Sequence, residues 1–122
     1  MTATSTATQN YLKAIRELRG ANGRVTTCVL ARHLHIAPAS VTNMMQRLAA
    51  DGLVDYMPYR GAALTPAGEQ EAGDVSRRHE VIERYLIGTL GFDPEQAHIE
   101  AERLEHAASS DLVSRMQALH VR

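Results

Sequence analysis

The feature that most constrains this 122-residue chain is how its helix breakers cut it into helix-length pieces. Tyr11, Leu12, Ile15 and Leu18 recur at helical spacing, and Gly20 with Asn22-Gly23 stops them, so a first helix is expected from about Thr8 to Arg19. Thr26 or Thr27 caps a second helix carrying Val29, Leu30 and Leu34, and His35-Ile36-Ala37 forms a turn. Pro38 suits the first turn of a third helix, which points Val41, Met44, Met45 and Leu48 inward and ends at Gly52. Leu53–Tyr56 and Ala62–Thr65 read as two short strands around Tyr59-Arg60-Gly61. Thr65-Pro66 then opens a long helix to about residue 90, which Gly91-Phe92-Asp93-Pro94 breaks. Pro94 starts another to about Ala108, and Ser109-Ser110-Asp111 caps a last one to about Leu119.

Helix, Thr-capped helix, three-residue turn, polar-faced helix and hairpin make the pattern of a winged helix-turn-helix. The expected fold is therefore mainly α: a winged helix-turn-helix over residues 1–68, then an all-helical domain over 69–122. In such a module the third helix enters the DNA major groove, with its N-terminal residues at base edges. Small or polar side chains at Ala37, Pro38, Ala39, Ser40 and Thr42 let the backbone approach. Asn43 and Gln46 can each present the amide pair that matches adenine. Thr27, Arg47 and Arg60 complete the candidate DNA contacts, with Arg47 and Arg60 on phosphates and Arg60 at the wing tip.

The net charge of −1 hides a segregation. Residues 1–65 hold seven Lys/Arg against three Asp/Glu, a balance of +4, whereas residues 66–122 hold six against eleven, a balance of −5. A basic first half suits phosphate, and an acidic second half suits divalent cations. The single Cys28 excludes an internal disulfide, and no apolar run approaches the roughly 20 residues that span a bilayer. Met1 to Thr8 has neither a basic region nor an apolar core, so a cytoplasmic protein with no membrane partner is expected. A second half of only a few helices needs a covering partner, and a second copy of the chain supplies it most simply.

That acidic half carries metal-ligand types at helical spacing. His98, Glu102, Glu105 and His106 stand at offsets of four, seven and eight, one face of a helix, and His79 with Glu83 forms an i, i+4 pair upstream. Imidazole nitrogens and carboxylate oxygens on such faces can converge on a cation.

The order and spacing of several strings carry a resemblance over nearly the whole chain: Asn10–Ile15, Ala39-Ser40-Val41-Thr42, Asp51-Gly52-Leu53-Val54, Leu64–Gly68, Arg77-Arg78-His79 and Glu102–His106. The chain resembles the diphtheria-toxin-repressor family of metal-dependent repressors, which includes the iron-dependent and manganese transport regulators. The resemblance implies a homodimer that reads a palindromic double-stranded operator, with Mn²⁺ or Fe²⁺ as corepressor and residues 69–122 as the dimerisation and metal-binding domain. It also implies that His79, Glu83 and His98 form one metal site, and that Glu102, Glu105, His106 and Asn10 form another.

Glu102 stands where iron-type members place a cysteine, and Asn10 where they place a methionine. The set thus offers oxygen and imidazole without sulfur, which makes Mn²⁺ the leading ion and Fe²⁺ the alternative. Manganese-type members have carboxylates at both first-helix positions, where this chain has Asn10 and Lys13, so it is a hybrid. Iron-type members also carry an SH3-like domain that can donate ligands. This sequence ends at Arg122, so water or a neighbouring carboxylate is expected to complete the His79/Glu83/His98 shell.

A second reading is a metal-independent winged-helix regulator that responds to a small organic ligand. It needs an apolar pocket, and one Phe, four Tyr and no Trp leave few residues to line one. An enzyme is not expected: the sequence has no His-Glu-x-x-His helix, no activated nucleophile pair and no Gly-rich phosphate loop.

Overall fold

A computed structural model describes residues 5–120, with the side chain of His120 excepted. The chain forms two compact units, one through Gly73 and one from Asp74. The elements are α1 (Thr6–Leu18), β1 (Arg24–Val25), α2 (Thr27–Leu34), α3 (Pro38–Ala50), β2 (Val54–Met57), β3 (Gly61–Leu64), α4 (Pro66–Gly88), α5 (Pro94–Leu104) and α6 (Ser110–His120). This is a mainly helical chain with one small sheet.

Local chemistry sets the ends of these elements. Ser5 and Thr26 cap α1 and α2 by accepting from the N–H of Thr8 and Val29. His35 stops α2 in the left-handed conformation, φ 56° and ψ 46°. Pro38 starts α3 with its φ already set and no N–H to satisfy. The Thr65 hydroxyl donates to the Gly52 carbonyl at 2.7 Å and accepts from the Gly68 N–H at 3.1 Å, tying the start of α4 to the residues before β2.

In the first unit Leu12, Ile15, Leu30, Val41, Met45, Leu48, Val54 and Ala62 form one buried cluster from α1, α2, α3 and the sheet. Each fully buried aliphatic side chain is worth about 1.5–3 kcal/mol, so this cluster fixes α3 against its neighbours. The sheet has three antiparallel strands in the order β1-β3-β2. Sequence reading found only the β2-β3 hairpin, because the two residues of β1 are too few for alternation. Val25 reaches Ala62 and Arg24 reaches Ala63 by tertiary pairing.

The second unit has a smaller core of Ile82, Leu86, Ala97 and Ala101, flanked by Phe92, Ala108 and Met116. Asp93 caps α5 through the Gln96 N–H, and Ser109 caps α6 through the Leu112 N–H. The Ser109 cap has a cost in length. The chain must leave α5 before it, so α5 ends at Leu104 rather than near Ala108, and residues 105–107 form a turn.

Candidate metal centre and nucleic-acid interface

In the second unit the middle of α4 faces α5 with ionisable side chains. His79 Nε2 lies 2.7 Å from Glu83 Oε2, one helical turn on, and 3.2 Å from His98 Nδ1 on α5. The imidazoles of His79 and His98 meet edge to face, with centroids 4.8 Å apart. His98 Nδ1 is 3.7 Å from Glu83 Oε2, and His98 Nε2 is 3.4 Å from Glu102 Oε1.

Glu105, at the C-terminal end of α5, is fully buried and places Oε1 2.6 Å from His79 Nδ1. Its backbone carbonyl accepts from Arg78 Nε at 2.8 Å. Helical spacing brings His79 and Glu83 together, and the packing of α5 supplies the rest.

Two sets of potential ligand atoms each converge to within 4.8 Å: His79 with Glu83 and His98, and His79 with Glu102 and Glu105. The geometry and donor type fit a small divalent cation, since nitrogen and carboxylate oxygen suit Mn²⁺ and Fe²⁺. The expected single stripe is divided. His98 and Glu102 are exposed on α5, Glu105 turns inward, and His106 sits in the turn with Nε2 3.6 Å from Glu105 Oε2. Asn10 lies on the exposed side of α1, in the first unit.

The other candidate residues lie on the first unit. Pro38, Ala39, Ser40, Asn43, Gln46 and Arg47 form an exposed face of α3, and Thr42 is half-buried beside them. Thr27 opens α2 half-buried. Arg60 is exposed in the β2-β3 turn next to Tyr59, which has φ 68°.

The family model for the iron dependent repressor N-terminal DNA binding domain matches residues 3–62, and the model for the iron dependent repressor metal binding and dimerisation domain matches 65–120. The chain belongs to the iron-dependent repressor family. Among its relatives in that family is an uncharacterized HTH-type transcriptional regulator of Methanocaldococcus jannaschii, 38% identical over 93% of this chain and 91% of the relative. The HTH-type transcriptional regulator MntR of Lysinibacillus sphaericus is 33% identical, over 91% of this chain and 79% of the relative. A solved manganese-dependent transcriptional repressor in complex with manganese superposes with a TM-score of 0.82 at 33% identity, covering 93% of this chain and 52% of that one. The chain thus spans about half the length of that solved repressor.

Two features of this iron-dependent repressor family member escaped the sequence. The contact between Glu105 and His79 joins residues 26 positions apart, assigned to different sites by the resemblance, and no spacing rule predicts it. A cleft of about 560 Å³ lies between the start of α2 and the wing, lined by Thr26, Thr27, Cys28, Tyr56, Pro58, Tyr59 and Gly61. Its aromatic wall comes from strand and turn positions that carry no periodic signal.

Proposed function

We propose that the protein is a metal-dependent transcriptional repressor. A homodimer of it binds a palindromic operator in double-stranded DNA when Mn²⁺, or alternatively Fe²⁺, is held by its second unit, and it controls metal-ion homeostasis genes from the cytoplasm. Residues 1–68 act as the DNA-binding domain and residues 69–122 as the dimerisation and metal-binding domain. The observation that carries the reading is the convergence of His79, Glu83 and His98 in a chain whose other half exposes a polar α3 face.

His79, Glu83 and His98 hold one ion, and Glu102, Glu105 and His106 form a second group beside it. The bound dication offsets the carboxylate charge and favours the DNA-competent arrangement by its differential affinity for it. Manganese leads because every donor is nitrogen or oxygen, and because the superposed solved structure is a manganese-dependent repressor bound to manganese. On the DNA side, Asn43 and Gln46 read base edges. Thr27, Arg47 and Arg60 hold phosphates, and Pro38, Ala39, Ser40 and Thr42 allow the close approach of α3. Such a repressor turns over no substrate.

The test is binding to a palindromic sequence from its own promoter region, at fixed salt, with chelator, Mn²⁺, anaerobic Fe²⁺ or Zn²⁺. Stimulation by Mn²⁺ or Fe²⁺ over chelator is expected. Tight binding that ignores chelator overturns the metal-dependent reading. Replacing Asn10 in the same assay tests whether α1 contributes to the response.

A further inference from the structure

Arg24 belongs to β1 at one edge of the small sheet, yet its side chain is committed to the strand at the other edge. In the register of the three strands Arg24 and Asp55 stand on either side of one residue, Ala63 of β3. Residues paired in this way share a face, and the methyl side chain of Ala63 leaves room for a guanidinium to pass over it. Arg24 Nη2 lies 2.5 Å from Asp55 Oδ2. Arg24 Nη1 donates to the Asp55 carbonyl at 3.2 Å and to the Gly61 carbonyl at 3.1 Å. The Arg24 side chain is 17% exposed, against 63% for that of Asp55.

These anchors bracket the wing turn. Arg24 fixes one point on each of its limbs, and the turn is closed by the Arg60 N–H, which donates to the Met57 carbonyl at 3.1 Å. At the tip Tyr59 is fully exposed with φ 68°, a conformation that persists in a residue with a Cβ only where the surrounding backbone imposes it. Beside it, the Arg60 side chain has no hydrogen-bond or ion-pair partner among the described residues. One arginine of the wing is thus tied down, and the other is left to meet an anion.

A pair as exposed as Asp55 and Arg24 contributes little to stability. Its effect is on order: a wing whose limbs are already fixed loses less freedom when its tip docks.

We propose that Arg24 is a positioning residue for DNA binding: held by Asp55 and the Gly61 carbonyl, it fixes the wing so that Arg60 meets phosphate in a preformed place. Arg24 itself makes no contact with DNA. The proposal rests on the DNA-binding reading above, with Arg60 as a phosphate contact.

Charge alone predicts a different outcome. Asp55→Ala removes a negative charge from the wing, so electrostatics by itself tightens binding to DNA, whereas loss of the clamp weakens it. Arg24→Lys keeps the charge, but an ammonium lacks the planar fork that engages a carboxylate and two carbonyls together.

The experiment measures fluorescence anisotropy with Mn²⁺ present, on a palindromic duplex from the protein's own promoter region and on a random duplex of equal length. The proteins are wild type, Arg24→Lys, Asp55→Ala, Arg60→Ala, and each of the first two changes combined with Arg60→Ala. Arg24→Lys and Asp55→Ala are each expected to weaken binding about three- to tenfold on both duplexes. In the Arg60→Ala background the same changes are expected to cost less than about twofold, because the group they position is gone.

Tighter binding by Asp55→Ala, or unchanged binding by Arg24→Lys, overturns the proposal. Equal losses with and without Arg60 also overturn it, since Arg24 then acts independently of the wing tip. Urea unfolding checks that each variant is folded; should Asp55→Ala fail to fold, Arg24→Lys and its combination with Arg60→Ala decide. Wild-type protein that binds neither duplex sinks the DNA-binding reading itself, an outcome distinct from the others.

Discussion

Gly61 carries a conformational and a steric demand at once. Its φ is +86°, and a Cβ built there would stand 2.0 Å from the Val25 carbonyl oxygen, inside the β1-β3 pairing. Gly23 shares the positive φ, +78°, but has nothing within 4 Å of the same position. The pair separates the two costs. Gly23→Ala is expected to destabilise by about 1–2 kcal/mol, the left-handed penalty alone. Gly61→Ala adds forced separation of two backbones and is expected to cost about 3 kcal/mol or more. Urea unfolding measures both, and equal losses would show that β1 yields freely.

Tyr11, 4% exposed in the same core, makes a different kind of prediction. Burial pushes its phenol above the ordinary tyrosine value, because the phenolate is the form that suffers from desolvation. Above about pH 10 the unfolded chain releases this proton while the native protein keeps it. The native state then binds more protons than the unfolded one, so stability falls as pH rises. Tyr11→Phe is expected to flatten that alkaline decline in unfolding experiments between pH 9 and about 11; an unchanged slope would place its origin elsewhere.

At the scale of elements, the proposed division of DNA recognition between α3 and the wing can be tested by two substitutions. Asn43 is exposed on α3, and Arg60 is exposed in the β2-β3 turn. Asn43→Ala is expected to relax base preference at one operator position, worth about 1–3 kcal/mol of discrimination. Arg60→Ala is expected to weaken all sequences alike and to lower the salt slope by about one. Fluorescence anisotropy across operator variants and salt concentrations distinguishes these outcomes. Equal effects of both changes on every DNA would undo the division.

Elements of this kind were legible in the sequence where punctuation is local. The Thr26 cap, Pro38 and the breaker around Asp93-Pro94 each act within a few residues, and the structure uses all three. α5 ends about a turn before the point its sequence predicts, because the Ser109 cap of the following helix competes with its continuation. β1 was invisible, since its two residues become a strand only by pairing with β3. The candidate centre was legible as residue types at helical spacing. Its wiring, with Glu105 on one nitrogen of His79 and Glu83 on the other, depends on how α5 packs against α4 and leaves no trace in spacing.

For the whole molecule, the second unit poses a question of coverage. Ile82, Leu86, Ala97 and Ala101 are the buried members of its hydrophobic cluster, while Ile87, Leu90, Ile99, Leu104, Leu112 and Leu119 are all exposed. So many large apolar side chains on so small a unit are typical of a surface that a partner covers. In a family whose second domain is one of metal binding and dimerisation, a second copy of the chain is the expected partner. The proposed reading of two half-sites demands this pairing, because each recognition helix gains from its partner only while both are held at the operator's spacing. Glu in place of both Ile99 and Leu112 adds two buried charges per protomer to such an interface but touches none of the buried core. The double variant is expected to sediment as a monomer with unchanged helix content. It should lose operator affinity by 100-fold or more, in keeping with the roughly 10²–10⁴ gain from linked binding events. A variant that remains dimeric would remove α5 and α6 from the interface, and a monomer that kept full operator affinity would detach DNA reading from dimerisation.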